Sequence, residues 1–401
     1  MRKQRAVIIG GSIGGLFAAN LLVRAGWQVD VCERVADDLA GRGAGIGTHE
    51  ELFNVMRGLG IAIDDAIGVR LPDRVCLAPS GEVLHRLAWP HVMTHWVRIY
   101  RPLRERLAPE SYHARRTFVD YSEDDDEVVA HFDDGASLRA DLLIGADGLR
   151  STVRSCLFPD VQPLYAGYIG WRGIVDESAL PARLRDELGN SYYFALPPGE
   201  MAVCYPVPGR YWNYVWYRPV LGDAELRDLC TDAADRHHGP AIPPPLVRTD
   251  VARKLKEVAH ASLAPRIARV VEHTQPFFQA IYDLETPRIA AGRVALVGDA
   301  AFVARPHIGM GVTKAALDAA SLCRSLEIER DVERALARYA EVRGEFGRRC
   351  VRRARRLGAY IEARARPELN WPPEALDQRP ERVLREIGAT MADIPELQLE
   401  L

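Results

Sequence analysis

In GGSIGG, residues 10–15, glycines and a serine stand where an apolar strand-like run passes into a helix-like one. The spacing approximates G-x-G-x-x-G, the fingerprint of a site for a dinucleotide pyrophosphate. Gly10 permits the tight turn, and Gly15 permits close packing of helix on strand. Ser12, at the middle position, is still small enough for a pyrophosphate to approach the amide donors at a helix N-terminus. Glu33 closes the next strand, 23 residues after Gly10, with Arg34 beside it. A carboxylate at that place accepts hydrogen bonds from a ribose diol. Strand, helix and Glu33 together favour an adenine dinucleotide over a purely structural glycine turn.

Two further stretches have the same strand–turn–helix form. In DLLIGADGLRSTVR, 141–154, a buried strand ends at Gly145, Asp147 and Gly148 form a turn, and Ser151 can cap the next helix. Physics alone weighs a ligand-binding turn there evenly against an ordinary capped helix. In RVALVGDAAFVARPHIGMG, 293–311, a strand delivers Asp299 to its carboxyl end, the usual ligand position in open α/β sheets. Asp299 can bind sugar-like hydroxyls, and Pro306 fixes a bend. Gly309 and Gly311 let backbone approach a flat ring, with Met310 packing as a wall between them. Gly311 also opens a helix whose N-terminal dipole favours a developing anion.

Positioning these residues requires a layered α/β frame. The 401 residues predict two or three domains. Hydrophobic residues at 48% and charged residues at 27% exclude a disordered, collagenous or disulfide-stapled chain. A net charge of −3 gives no general attraction to nucleic acid or membrane. Only four of the 52 basic residues are lysine, which reads as compositional bias. Seven scattered cysteines without a CxxC read as reduced thiols of a cytoplasmic protein. MRKQR followed by the uncharged Ala6–Val23 mimics an export signal, but its glycines break the apolar run. No metal-ligand spacing is present, His237 and His238 merely lying adjacent. The arginine-rich stretch 343–356 puts Arg348, Arg352, Arg355 and Arg356 on one helical face, which reads as solvated or salt-bridged.

Strands are expected at 5–10, 29–33, 117–121, 128–132, 141–146 and 293–297. Helices are expected at 13–25, 49–60, 101–107, 311–326, 332–365 and 380–391. Pro79-Ser80-Gly81 marks a hairpin between 75–78 and 83–87. From Tyr165 to Tyr282, aromatic residues alternate in short segments, predicting an antiparallel sheet with helices near 223–236 and 245–259.

The three motifs, in this order, resemble those of the p-hydroxybenzoate hydroxylase-like, single-component FAD-dependent aromatic monooxygenases, over roughly residues 5–365. The likeness extends to the 2,6-dihydroxypyridine 3-hydroxylase subgroup through GGSIGGL, YAGYIGWRG (165–173), YPVPGR (205–210) and GDAA…RPH (298–307). The resemblance implies a Rossmann-like FAD-binding domain interleaved with an antiparallel β-sheet substrate domain, and a C-terminal helical extension. The FAD domain is assigned to 1–70, 97–164 and 285–326, a substrate-domain hairpin to 71–96, the β-rich domain to 165–284 and the helical region to 327–401. Gly10, Ser12 and Gly15 then hold the FAD pyrophosphate and Glu33 the ribose, with Arg34 among the cofactor-binding residues. Asp147 and Gly148 serve both FAD and NAD(P)H, and Asp299 the ribityl chain. GAGIGTH, 43–49, resembles the loop beside the flavin ring, which brings His49 to the site. The family's basic residue before the short helix falls on Tyr100, between Arg98 and Arg101, a departure that leaves the FAD contact open among the three.

The activity so implied is hydroxylation of an electron-rich aromatic or N-heteroaromatic ring, with NADH or NADPH as transient reductant, O2 as co-substrate and a flavin C4a-hydroperoxide as oxidant. His307 is expected on the substrate side as base or hydrogen-bond partner near neutrality, Tyr214 and Tyr217 as the opposite wall, and Arg172 as partner of an anionic substrate or of a structural carboxylate. A small aromatic substrate and O2 are the expected partners, without nucleic acid or membrane, and homodimerisation is left open. Rival readings keep the fold but act on a purine such as urate, or on a polycyclic natural product. A non-catalytic flavin-binding regulator is the rival from another class. Trp212–Trp216 lacks the WxWxIP pattern of flavin halogenases.

Overall fold

A computed structural model describes residues 3–36, 38–39, 45–389, 394 and 397. Gly43 and Ala44 of the 43–49 loop, and residues 390–391 of the last expected helix, lie outside the described residues. Val7 and Ile8 are β-branched and almost wholly inaccessible, which fits a strand sandwiched between two layers. Their strand, Arg5–Ile9, pairs in parallel with Gln28–Glu33 on one side and Leu142–Gly145 on the other. The full order of this six-stranded sheet is Ala290–Ala291, Val294–Leu296, Leu142–Gly145, Arg5–Ile9, Gln28–Glu33, Tyr112–Ala114. The uncharged Ala6–Val23 run therefore supplies a central strand and the helix Ile13–Arg24. Each fully buried Val or Ile there contributes roughly 1.5–3 kcal/mol of apolar burial.

Register brings the motifs together. Ile9 pairs with Gly145, and Gly145 with Leu296. Three loops separated by up to 290 residues thus leave the same sheet edge from one row. Strand carboxyl ends in an open parallel sheet are where such folds bind ligands.

A second, ten-stranded sheet lies alongside. Its order is Ala241–Ile242, Phe277–Glu285, Leu164–Asp176, Tyr211–Pro219, Met201–Val207, Tyr192–Ala195, Val69–Leu77, Val83–His95 and Gly45–Gly47. Phe302–Val303 pairs at Phe277–Glu285. The expected antiparallel pattern holds except at Tyr192–Ala195, which runs parallel to Val69–Leu77. Both Gly45–Gly47, just before the helix Glu50–Gly58, and Phe302–Val303, just after Asp299, thus join this sheet, which ties the two layers at the cleft.

Several elements differ from expectation. The hairpin strands are longer, Val69–Leu77 and Val83–His95, because their pairing runs on from Leu77↔Val83 to Val69↔Met93. The helix expected at 101–107 runs Trp96–Glu105 instead, capped by His95, with Pro102 inside it. The helix expected at 223–236 stops at Leu229, since Asp232 gathers Ala234 N, Arg236 N and His238 Nε2 into a loop. Helices Ala182–Leu188 and Pro265–Glu272 were not anticipated. Gly311–Ile328 and Val332–Ala365 form as expected, and the tail helix is shorter, Pro380–Glu386. Arg348, Arg349 and Arg352 fan around Glu345, so that face is salt-bridged. Among the described residues, no helix is long and apolar enough to cross a membrane.

Candidate active site

The three motif loops border two cavities that share Ser12, Trp96, Ala146 and Gly148 and so form one cleft. The first, about 350 Å³, is lined by Gly10, Glu33, Arg34 and Asp147 among others. The second, about 420 Å³, is lined by Arg172, Tyr217, Asp299, Pro306, His307, Gly309 and Gly311, with tyrosines 192 and 205.

At the first cavity, Gly10 takes φ +109°, and a Cβ there would stand 2.4 Å from the Ala146 carbonyl oxygen. A Cβ at Gly15 would meet the Gly10 carbonyl oxygen at 1.9 Å, so the helix can lie on its strand only because both are glycine. Ser12 is the N-cap residue, yet its side chain bonds none of its own helix's amides. Those first-turn donors therefore stay available to an anion. Glu33 is buried and accepts from Gly11 N at 2.8 Å and Val35 N at 2.9 Å, which fixes its carboxylate at the cavity wall. Asp147 accepts from Ser151 Oγ, Thr152 N and Val153 N, so it caps the helix Thr152–Leu157. Desolvation raises its pKa. The buried Arg154 donates to the carbonyls of Ala300 and Leu149, stapling the second motif to the third.

In the third motif, Asp299 opens onto the cleft. Desolvation by the surrounding protein raises its pKa, and Lys314 partly offsets this. Its turn is held by a buried network: Lys314 Nζ donates to Gly298 O at 2.7 Å and to Asp318 Oδ2 at 3.1 Å. Asp318 also accepts from Gly298 N and from Arg343. Cβ atoms placed on Gly148 or Gly311 would meet nothing within 4 Å, because both positions face open cleft. Helix-start amides that can donate to a pyrophosphate, a carboxylate at a strand end that can accept from hydroxyls, and glycine-lined walls at two loops fit an FAD-sized group.

The substrate-side residues divide. Tyr217 and His307 approach to 4.6 Å between ring centroids in an edge-on arrangement. His307 is buried, and its Nε2 shares a 2.7 Å hydrogen bond with Tyr168 Oη, while Nδ1 has no partner. Desolvation, reinforced by Arg305, lowers its pKa to about 3. The near-neutral base expected from an ordinary histidine is therefore replaced by an imidazole that stays uncharged. Arg305 itself is locked between Asp283 and Glu362. Arg172 has no carboxylate partner among the described residues, and its Nε is buried and unbonded. Tyr214 lies elsewhere. It is three residues from Tyr217, an odd spacing that turns it to the other face of the strand, beside Gly173 and Thr274.

Three expected cofactor neighbours stand behind the walls. Tyr100 is buried and stacks on Trp96 at 4.6 Å, and Trp96 rather than Arg98, Tyr100 or Arg101 lines the cleft. Met310 is fully buried at the base of the helix Gly311–Ile328. His49 bonds Thr313 Oγ1 through Nδ1 at 3.0 Å, tying its loop to that helix, and desolvation lowers its pKa to about 4.

Sequence reading passed over Met201, Val203 and Tyr205, although their alternate spacing puts them on one face. It also passed over His91, Trp96, Ile387 and Gly388. Tyr205 donates to Gly45 O at 2.9 Å, so it both lines the cleft and fixes the 45–47 strand.

A family model described as "FAD binding domain" matches residues 3–70, and one described as "FAD binding domain-like" matches 165–283. The chain belongs to the FAD-dependent aromatic monooxygenases; it is an oxidoreductase with FAD as cofactor. It is similar to the 2,6-dihydroxypyridine 3-monooxygenase of Paenarthrobacter nicotinovorans, 30% identical over 370 residues, covering 90% of this chain and 92% of that protein. Among solved structures, 2,6-dihydroxypyridine-3-hydroxylase of Arthrobacter nicotinovorans superposes with a TM-score of 0.85 at 28% identity, covering 90% of this chain and 93% of the other. A Klebsiella pneumoniae protein solved with FAD and uric acid gives a TM-score of 0.78 at 25% identity, covering 98% and 97%.

Proposed function

We propose that the protein hydroxylates a small, anionic, hydroxylated N-heteroaromatic ring, using NADH or NADPH and O2. The observation that carries this reading is Arg172: a guanidinium with no carboxylate partner among the described residues, set in the cleft beside the rings of Tyr192, Tyr205 and Tyr217. A cation so placed gains most from an anionic ligand, since a buried donor left unmade is costly. The named relatives, a 2,6-dihydroxypyridine hydroxylase and a protein solved with uric acid, point to small nitrogen heterocycles bearing oxygen substituents. The 420 Å³ cavity is shared with the cofactor side, which favours a small ring over a polycyclic one.

FAD, when bound, takes electrons from the nicotinamide and activates O2 for transfer of one oxygen atom. Gly10, Ser12, Glu33 and Arg34 would hold its adenosine–pyrophosphate half, with Gly15 keeping the helix close on its strand, and Asp147, Gly148 and Asp299 would hold its centre. Pro306, Gly309 and Gly311 shape the ring end. This chain's other residues act on the substrate. A histidine with a pKa of about 3 does not strip a phenolic proton at neutral pH. Arg172 instead favours the electron-rich anionic form by Coulomb attraction. His307 and Tyr168 orient it: when Nε2–H donates to Tyr168 Oη, Nδ1 accepts from a substrate hydroxyl. Tyr192, Tyr205 and Tyr217 wall off water. All seven cysteines are unpaired thiols, which supports a reducing, cytoplasmic setting.

The test is NAD(P)H oxidation by the yellow holoprotein with and without 2,6-dihydroxypyridine, 6-hydroxynicotinate and urate. Stimulation with a product one oxygen heavier is expected. Bound flavin with no stimulation by any aromatic would favour a non-catalytic flavin protein.

A further inference from the structure

The substrate half of the cleft is closed on one side by chain from the C-terminal region. Ile387 and Gly388 line it, next to Gly309 and His307. Gly388 N donates to His307 O at 2.8 Å, and the Gly388 Cα lies 3.1 Å from where a Gly309 side chain would begin. The missing side chain at Gly309 leaves room for this contact, and Gly388 takes a φ of +56°, a left-handed conformation that glycine adopts freely. The segment is fastened by a fully buried arginine: Arg74 Nη1 donates to Leu384 O at 2.7 Å and Ile387 O at 2.5 Å, and Nη2 to Gly388 O at 3.0 Å. These are the last carbonyls of the helix Pro380–Glu386 and of the residues after it. A helix C-terminus is the negative end of its dipole, so a cation is well placed there. The guanidinium also lies over the rings of Trp89 and Tyr192, at 5.1 and 5.8 Å, and Tyr192 is itself a cleft residue. Upstream, Gln378 donates to Pro197 O and Glu200 O and accepts from Gly199 N. The segment is therefore held at two points, 378 and 384–388.

Resting on the proposed hydroxylase reading, we infer that Ile387 is a specificity-determining wall of the substrate pocket, and that Arg74 is the positioning residue that sets it there. A single apolar side chain held by three hydrogen bonds to its backbone and the adjoining carbonyls is a rigid gauge of ring size. Arg74 acts only through this segment and touches no reacting atom.

The test uses the FAD-loaded full chain and two probes of different size, 2-hydroxypyridine and 2-hydroxyquinoline. Dissociation constants come from the change in flavin absorbance and kcat/KM from product formation. Ile387→Ala should raise the bicyclic-to-monocyclic preference about tenfold or more, and Ile387→Trp should lower it, since one methylene in an apolar pocket is worth about 10- to 200-fold. Unchanged preference in both variants, with FAD retained, overturns the inference while leaving the hydroxylase reading standing. Failure of the wild type to bind either probe or hydroxylate any aromatic overturns both. A second readout does not depend on turnover. Trypsin can cut after Arg382 and Arg385, whereas Arg379 is shielded by the following Pro380; Arg74→Lys, which keeps the charge but loses the fork, should speed cleavage at those two bonds several-fold, and bound 2-hydroxypyridine should slow it in the wild type. Cleavage indifferent to both changes rejects the latch even where an Ile387 variant fails to fold.

Discussion

Replacing Arg172 by methionine removes a substrate-side cation that has no carboxylate partner among the described residues, while keeping a similar apolar stem. A hydrogen bond to a charged group contributes about 1.5–3 kcal/mol, whereas a fully solvated ion pair gives 1 kcal/mol or less. The Arg172 Nε is buried, but the residue as a whole is only partly covered. Water screening therefore places the expected loss near the lower end, about 1.5–2 kcal/mol, or about 10- to 30-fold in Kd. The assay is titration of holoprotein at neutral pH, followed by flavin absorbance, with 6-hydroxynicotinate and with its uncharged carboxamide. The acid should lose the full factor and the amide little, so their ratio isolates charge from shape. Equal weakening of both ligands would show that Arg172 merely shapes the wall. No weakening of either would refute the anionic-substrate reasoning.

Gly10→Ala adds a Cβ 2.4 Å from the Ala146 carbonyl oxygen at a φ of +109°; the strain of about 1–3 kcal/mol or more should give protein with a lowered melting temperature and little co-purified flavin. Tyr217→Phe should change substrate Kd or the coupling of NAD(P)H oxidation to hydroxylation. Tyr214→Phe should change neither, because its ring faces the other side of the sheet. Acid should destabilise the fold through three buried histidines, His49, His91 and His307, whose pKa values burial lowers to about 4, 3 and 3. The unfolded chain takes these protons below about pH 6.5 while the folded chain does not. Stability is therefore full above that pH and should fall by about 2 kcal/mol per histidine, about 6 kcal/mol in all, by about pH 5. Denaturant titrations across that window check this, and His307→Gln should remove about a third of the slope.

The chemistry-bearing turns were legible because each is local. Glycines, a capping residue and a preceding apolar run declare a strand–turn–helix in about 15 residues. What the sequence did not disclose is that Ile9, Gly145 and Leu296 share one register row, since pairing partners so far apart leave no local trace. The same limit hid Arg74. Its three acceptors lie more than 300 residues away along the chain, so nothing local marks it. Lys314 and Asp318 stand four residues apart on one helix, but their role at Gly298 appears only in the fold. The two faces of the strand carrying Tyr214 and Tyr217 follow from the odd spacing alone, so that separation was available and was missed. His307 was found by position, but its charge state depends on burial, which spacing does not report.

The central claim is that this chain directs one atom of O2 into a small aromatic ring. Holoprotein turning over NAD(P)H with 2,6-dihydroxypyridine, 6-hydroxynicotinate or urate under isotopically heavy O2 tests it most directly. The account predicts a product carrying one heavy oxygen from at least one of these rings. Flavin-free protein, or NAD(P)H oxidation that yields only hydrogen peroxide with every ring, would contradict it.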